Sequence, residues 1–325
     1  MVNFEYFDAT SLEGLPELLG RKWGESVVLA GGTDLLDLLK ERLIEPRRVV
    51  NIKKIRELHG IRNGKGLEIG ALTTIAEIAK HPHIQKNYPV LAQAAESIAT
   101  PQLRNMGTIG GNLCQRPRCW YFRGRQYVCL KKGGSKCYAA EGLNKYNAIF
   151  GGGPSFIVHP SDAAPALVAL GASLEIYGPG GREQFPLAEF FELPIDNLPR
   201  ENVLEPNEII TKILVPEPEA NTRSIYLKFK EKDSMDFAIS SVAAVLQMQG
   251  NRVNKARIVL GGVAPIPWRA EEAEAELEGK PLDEAVIDTA AAAAVARANP
   301  MRHNAYKIHL TRNLVKDALW RLRRM

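Results

Sequence analysis

No apolar run in the chain approaches the ~20 residues that cross a bilayer as a helix, which excludes a helical membrane span within its 325 residues. The opening stretch, MVNFEYFDATSLEGLPELLG, has acids where a secretory signal has lysines, and it has no apolar h-region. A cytoplasmic chain is therefore expected, with export on a partner's signal the other route. Neither G-x-G-x-x-G nor G-x-x-x-x-G-K-[ST] occurs, so Rossmann and P-loop phosphate sites are excluded. Cysteine is missing everywhere except in one segment, CQRPRCWYFRGRQYVCLKKGGSKC, residues 114–137, which holds all four. That segment also has no acid and seven cations: Arg116, Arg118, Arg123, Arg125, Lys131, Lys132 and Lys136. Net charge is +5, so the rest of the chain carries −2. The basic excess is one local patch, and a nucleic-acid partner, which would want a groove-tracking basic element, is not expected. The six histidines (His59, His81, His83, His159, His303, His309) are scattered, and none is assigned catalysis.

What is present divides into three regions. In residues 1–55, SVVLAGGTDLLDLLKERL reads as a buried strand at 27–29, a glycine turn and an amphipathic helix from about Asp34, with a second strand in RRVVNIKKI. In 56–216, a strand precedes a helix capped by Thr73 or Thr74 and stopped at His81-Pro82. PVLAQAAES is a helix, a loop and glycine turn follow, then a helix on 162–170 with Asp162 as N-cap and a strand on 173–177. VPEPEAN, 215–221, reads as a linker. Beyond it come the strand SIYLKFK, two strands joined at a Gly-Asn turn, and two alanine-rich helices. This strands-then-helices order suggests an α+β domain. The division is thus 1–216, with subdomains of about 1–55 and 56–216, and 217–325.

Two glycine turns stand out. AGGTD follows a strand and precedes a helix, and GTIGGN pairs Gly110-Gly111 with an amide side chain. Glycines let a ligand approach the backbone, and successive N–H groups then form an anion nest for which a pyrophosphate is the natural guest. Thr33, Thr108 and Asn112 can add side-chain donors. The cysteines are spaced C-x4-C-x9-C-x7-C, which matches neither zinc-ribbon pairs nor ferredoxin spacings. Four thiols amid cations still suit a metal, and an iron–sulfur cluster with negative charge would be offset by the surrounding lysines and arginines. Disulfides are the weaker choice without an export signal.

The runs AGGTDLL, PQLRNMGTIGGNLCQ, HPSDAAPALVALGA and LGGVAP resemble the FAD-binding medium subunit of the xanthine dehydrogenase, or molybdenum hydroxylase, family over nearly the whole chain. The resemblance implies an α+β protein: a PCMH/vanillyl-alcohol-oxidase-type FAD-binding domain of two α/β subdomains, plus a C-terminal α+β domain. It implies that Leu29, Ala30, Gly31, Gly32, Thr33 and Asp34, with Gly107, Thr108, Gly110, Gly111 and Asn112, wrap the FAD pyrophosphate and adjoining groups. Ser161 and Asp162 would bond further polar atoms, Lys230 would lie near the isoalloxazine, and Asp236 would support that loop. Within the family, the insertion at 113–158 is similar to that of the 4-hydroxybenzoyl-CoA reductase β subunit, which carries an extra [4Fe–4S] cluster. Cys119, Cys129 and Cys137 match three ligands, and the fourth falls at about Ser155. Cys114, Ser155 or another group as fourth ligand, or no cluster at all, remain open on the sequence. The implied role is an electron-transfer flavoprotein subunit in a dimer of heterotrimers. It would work with a molybdopterin-binding large subunit, a [2Fe–2S] small subunit and an external carrier such as NAD(P) or ferredoxin. The competing reading is a flavin-free, zinc-stapled scaffold subunit.

Overall fold

The computed structural model describes all residues, 1–325. Twelve strands form three sheets. The first is parallel, with β1 (Glu5–Asp8), β2 (Ser26–Leu29) and β3 (Arg48–Asn51) in the order β1-β3-β2. A parallel pair needs a crossover, and between β2 and β3 it is supplied by the helix Leu35–Lys40.

The second sheet contains β4 (Ile61–Gly64), β5 (Gly66–Gly70), β6 (Ser173–Gly178), β7 (Gly181–Pro186) and β8 (Ile209–Val215), in the order β4-β5-β8-β6-β7. All its pairings are antiparallel. Its helices are inserted between β5 and β6, apart from the short Leu187–Phe190 between β7 and β8. Burial along β6 alternates, with Leu174 and Ile176 inward, as one covered face requires. These side chains share a core with Ile69, Ile213 and the helices Pro89–Ser97 and Ala163–Ala169.

The helix Ile75–Lys80 opens on a capping box: Thr74 Oγ1 accepts from Glu77 N–H at 3.2 Å, and Glu77 Oε2 accepts from Thr74 N–H at 2.7 Å. His81-Pro82 ends this helix, as expected, but also starts another, Pro82–Asn87. Proline is tolerated at the first helical position because its missing N–H would have had no partner there.

The third sheet is an antiparallel meander, β9 (Thr222–Phe229), β10 (Ser240–Gln249), β11 (Arg252–Gly261) and β12 (Trp268–Arg269). β10 is buried almost throughout because both its faces are covered. Val242, Ala244 and Leu246 face the helices Glu271–Leu277, Glu284–Ala293 and Tyr306–Arg323, whereas Ala243 joins the core of the second sheet. The longest helix, Tyr306–Arg323, is an element the sequence reading did not identify.

The insertion has little regular structure. It contains one helical turn, Trp120–Arg123, and a 3-10 turn, Leu130–Lys132. Its return is pinned to the C-terminal domain from below. Lys307, fully buried, donates to the carbonyls of Tyr146 (2.9 Å), Asn147 (3.1 Å) and Gly262 (2.8 Å). Asn304 adds two bonds, to Asn147 and Ala148.

Candidate FAD cleft and cysteine segment

β2 ends at Leu29, and the chain turns at Gly31-Gly32 into the helix Leu35–Lys40. Gly31 is required by the fold, since a Cβ there would collide with the Met106 carbonyl of the other glycine turn. Gly32 has φ +74°, a conformation that glycine adopts without penalty. The amides of Gly31, Gly32, Thr33 and Asp34 make no hydrogen bond within the chain. Four unpartnered N–H groups in succession form the anion nest expected of this turn. Asp34 does not cap the helix with its side chain. Its carboxylate accepts instead from Arg123 (2.7 Å) and the Arg116 N–H (2.8 Å), and pairs with the Arg118 guanidinium at 2.9 Å.

The second turn differs from expectation. Residues 109–113 are a short helix, and its amides are already used. Gly107 donates to Leu103 O (2.7 Å), Ile109 to Thr73 O (2.9 Å), Gly110 to Ala71 O (2.9 Å), Gly111 to Thr108 Oγ1 (3.2 Å) and Asn112 to Thr108 O (2.8 Å). This turn is therefore no nest. It offers a bare surface: Gly110 is buried against Ala71, but Gly111 is exposed, and a Cβ there would meet only Thr108 Oγ1, at 3.0 Å.

Ser161 donates to Asn112 Oδ1 (2.6 Å) and accepts from Ala164 N–H (3.0 Å), so Ser161 caps the helix Ala163–Ala169. Asp162, expected as that cap, makes no capping bond. Its buried carboxylate accepts from Tyr226 Oη (2.6 Å) and Lys228 Nζ (2.8 Å), and burial beside it pushes the Tyr226 hydroxyl well up. Tyr226 and Lys228 were not identified from sequence. The signal was the strand alternation of SIYLKFK, which puts both on one face. His159 is buried, donates to Leu113 O (3.2 Å) and packs edge-on against Phe191. Burial pulls it down to about 4, so it is a neutral packing residue.

The two turns border a cleft of about 700 Å³. Ala30 to Asp34, Gly107, Thr108, Gly110 to Asn112 and Asp162 line it, as do Asp236 and the apolar Val28, Ile98, Leu103 and Ile210. Leu29, Ser161 and Lys230 do not. Lys230, placed by sequence beside the ring site, turns back to cap its own loop, donating to Asp233 O (2.7 Å) and Ser234 O (3.1 Å). Met235 to Phe237 of that loop face the cleft in its place. The sequence reading also missed Trp23, with the Arg200 guanidinium 3.3 Å over its ring, and Glu201; all three line the cleft.

The cysteines separate into three and one. Cys114 packs against the core of the second sheet and lines the cleft; burial pushes its thiol up to about 12. Cys129 belongs to a different small core with Leu38 and Phe122, at whose edge Cys119 and Tyr138 pack. Cys119 precedes the turn Trp120–Arg123, and its sulfur accepts from the Asn147 amide at 3.7 Å. Burial raises this thiol, and the backbone of the turn and the Asn147 amide pull it back. Cys137 is near enough for its charge to act on Cys119, and Lys132 feels both Cys119 and Cys129. No three His, Cys, Asp or Glu side chains stand close enough to hold one metal ion. A tetrahedral zinc staple needs four such donors ~2.0–2.3 Å from one centre.

The expectation that the seven cations offset a cluster's charge needs correcting. Arg116 and Lys131 pair with the buried Glu201 at 2.6 and 2.8 Å, and Arg118 and Arg123 pair with Asp34. Arg123 also reaches Asp37, at 3.1 Å. Lys136 lies over the Tyr138 ring and Arg125 is exposed, and of the seven it is Lys132 that feels the charge of Cys119 and Cys129.

Two family models cover the chain: the FAD binding domain in molybdopterin dehydrogenase, matching residues 2–218, and the CO dehydrogenase flavoprotein C-terminal domain, matching 224–322. Among curated relatives, the aldehyde oxidoreductase FAD-binding subunit PaoB of Escherichia coli is 36% identical over 90% of this chain and 89% of its own. The carbon monoxide dehydrogenase medium chain of Hydrogenophaga pseudoflava is 33% identical over 97% and 96%. A solved carbon monoxide dehydrogenase from that organism superimposes with a TM-score of 0.78 at 31% identity, covering 99% of both chains. Together with a cleft built from the two glycine turns, these similarities establish that the chain belongs to the FAD-binding medium subunits of the xanthine dehydrogenase/CO dehydrogenase family, oxidoreductase flavoprotein subunits of molybdenum hydroxylases.

Proposed function

We propose that this chain passes electrons between a [2Fe–2S] partner subunit and an external carrier, with substrate chemistry on a molybdopterin-binding large subunit. The assembly is a dimer of heterotrimers, and NAD(P) or ferredoxin serves as carrier. Residues 1–216 hold the cofactor and 217–325 close the cleft with the loop that carries Met235 to Phe237. The observation that carries this reading is the cleft, whose one unpartnered row of amides, Gly31 to Asp34, fits a pyrophosphate. Bound flavin supplies the ability to take up two electrons together and release them singly. Gly111 leaves room for close approach, and the Asn112 amide, oriented by Ser161, supplies donors. Asp162, held by Tyr226 and Lys228, presents a fixed acceptor at the wall.

The cysteine segment is proposed to hold a [4Fe–4S] cluster on Cys119, Cys129 and Cys137. The Asn147 amide at Cys119 supports this, since hydrogen bonds to sulfur stabilise ligating thiolates. Asn147 links Cys119 Sγ to the carbonyl of Phe156 (2.9 Å), the residue after the buried Ser155. Cys114, in the other core, is disfavoured as fourth ligand, and Ser155 is preferred.

Anaerobically purified protein should show flavin bands near about 370 and 450 nm and a broad shoulder near about 400 nm that bleaches on reduction. Colourless protein sinks the flavin reading. Iron and sulfide absent after reconstitution sink the cluster. Cys129→Ser should abolish the shoulder and leave the flavin bands.

A further inference from the structure

The four paired cations of the cysteine segment all end on acids that line the FAD cleft or its rim. Asp34 closes the row of unpartnered amides, and Glu201, 4% exposed, also lines the cleft. Arg116 bridges the two, its backbone N–H on Asp34 and its guanidinium on Glu201. Arg118 adds a third tie, stacking 4.8 Å over Phe237 of the C-terminal domain's loop. Behind these, out of the cleft, stand Arg123 and Lys131. Arg123 donates to Asp34, Asp37 and the Pro117 and Arg116 carbonyls. Lys131, its side chain 1% exposed, pairs with Glu201 at 2.8 Å and donates to the Leu198 and Arg200 carbonyls. Neither lines the cleft.

We propose that the cysteine segment is a clasp on the FAD cleft, in which Arg123 and Lys131 act as positioning residues that fix the lining acids Asp34 and Glu201 and so govern how long the cofactor is retained. This rests on the reading of the cleft as the FAD site. Two physical effects are combined. Arg118 and Arg123 neutralise a carboxylate that would otherwise stand, unshielded, beside an anion held by its own backbone amide. Lys131 and Arg116 keep the buried Glu201 paired, and an unpaired charge there would force loop 198–201 outward to solvent. Coupling is reciprocal, so bound FAD must also hold the segment down.

The test uses the full chain, stripped of FAD and reloaded, with release followed by the recovery of flavin fluorescence. Lys131→Met and Arg123→Lys should each release FAD about tenfold faster than wild type; the second keeps the charge but loses the fork between Asp34 and Asp37. Glu274→Gln removes a carboxylate as buried as Glu201 from its pair with the half-exposed Arg269, in the C-terminal domain, and should stay within about twofold of wild type. In wild type, FAD should slow trypsin cleavage after the exposed Arg125. Wild-type retention in both clasp variants overturns the proposal, as does equally fast release from Glu274→Gln, which would mark the effect as global. A wild-type chain that takes up no FAD overturns the reading of the cleft, and the clasp with it.

Discussion

Adjacent glycines in the second turn separate the demands of the fold from those of the cofactor. At Gly110 a Cβ would stand 3.0 Å from Ala71 Cβ and 3.1 Å from its carbonyl, inside the core. Gly110→Ala should therefore cost about 1–3 kcal/mol of stability, the usual penalty for overpacking. At Gly111 the new Cβ would meet only Thr108 Oγ1, and otherwise the open cleft. Alanine gains ~1 kcal/mol over glycine inside a helix, and this roughly offsets the tight Thr108 contact. Gly111→Ala should leave apoprotein stability within about 1 kcal/mol of wild type. The same Cβ, however, occupies space the pyrophosphate needs. Treating the cofactor as the overpacked neighbour, the loss of about 1–3 kcal/mol corresponds to FAD binding weakened roughly 5- to 150-fold. Urea melts of the apoproteins and flavin-fluorescence titrations measure the two quantities separately. The reasoning fails if Gly111→Ala melts early while binding FAD normally, or if Gly110→Ala is the variant that keeps its stability.

His159 carries a pH prediction. Burial holds its folded pKa near 4, below the usual 6.5, so the unfolded chain binds the proton first as pH falls. Its contribution is fully present above 6.5 and is lost between 6.5 and about 4, at a cost of about 3 kcal/mol. Urea midpoints of wild type and His159→Gln should converge as pH is lowered through that window, and parallel curves would refute the assignment. Thr74→Ala removes one half of a reciprocal cap and should cost about 1 kcal/mol in thermal or urea melts. Lys307→Met leaves the Tyr146 and Gly262 carbonyls buried without their donor, at about 1–3 kcal/mol each. Hydrogen exchange over residues 144–150 should rise with it, and unchanged protection there would show that Asn304 alone secures the segment.

What could be read from the sequence depended on how local the physics was. The first glycine turn was legible because every cause lies within AGGTD: a strand ending, glycines, and amides with no acceptor before the helix begins. The second turn looked the same in sequence, yet it winds into a helical turn that uses Leu103 and Thr108, while Ile109 and Gly110 donate to Thr73 and Ala71, 36 and 39 residues away, partners no local pattern reveals. Lys228 and Lys230 differ by one strand period in position and by everything in role. The first lies within β9 and reaches Asp162, whereas the second lies just beyond the strand, where its loop folds back on it. The helix Tyr306–Arg323 went unread because its six lysines, arginines and histidines break up the apolar stripe, and one buried position is Lys307 itself.

The charge of the cysteine segment makes the same point on a larger scale. Counted along the chain, seven cations without an acid suggest a segment awaiting an anionic guest. In the fold, its guests are mostly acids of the same chain: Asp34 and Asp37 lie about eighty residues before it, and Glu201 about as far after. Burial sharpens the choice, because Glu201 and Lys131 could not both be desolvated unless they met. The local excess is therefore first a docking surface against the cleft, and what remains for a cluster is Lys132 and the Asn147 amide at Cys119. On this account, a potential measured for such a cluster should respond to Asn147→Ala and Lys132→Met and be nearly indifferent to salt, since the other paired cations have their charge satisfied at contact distance, where screening is weak.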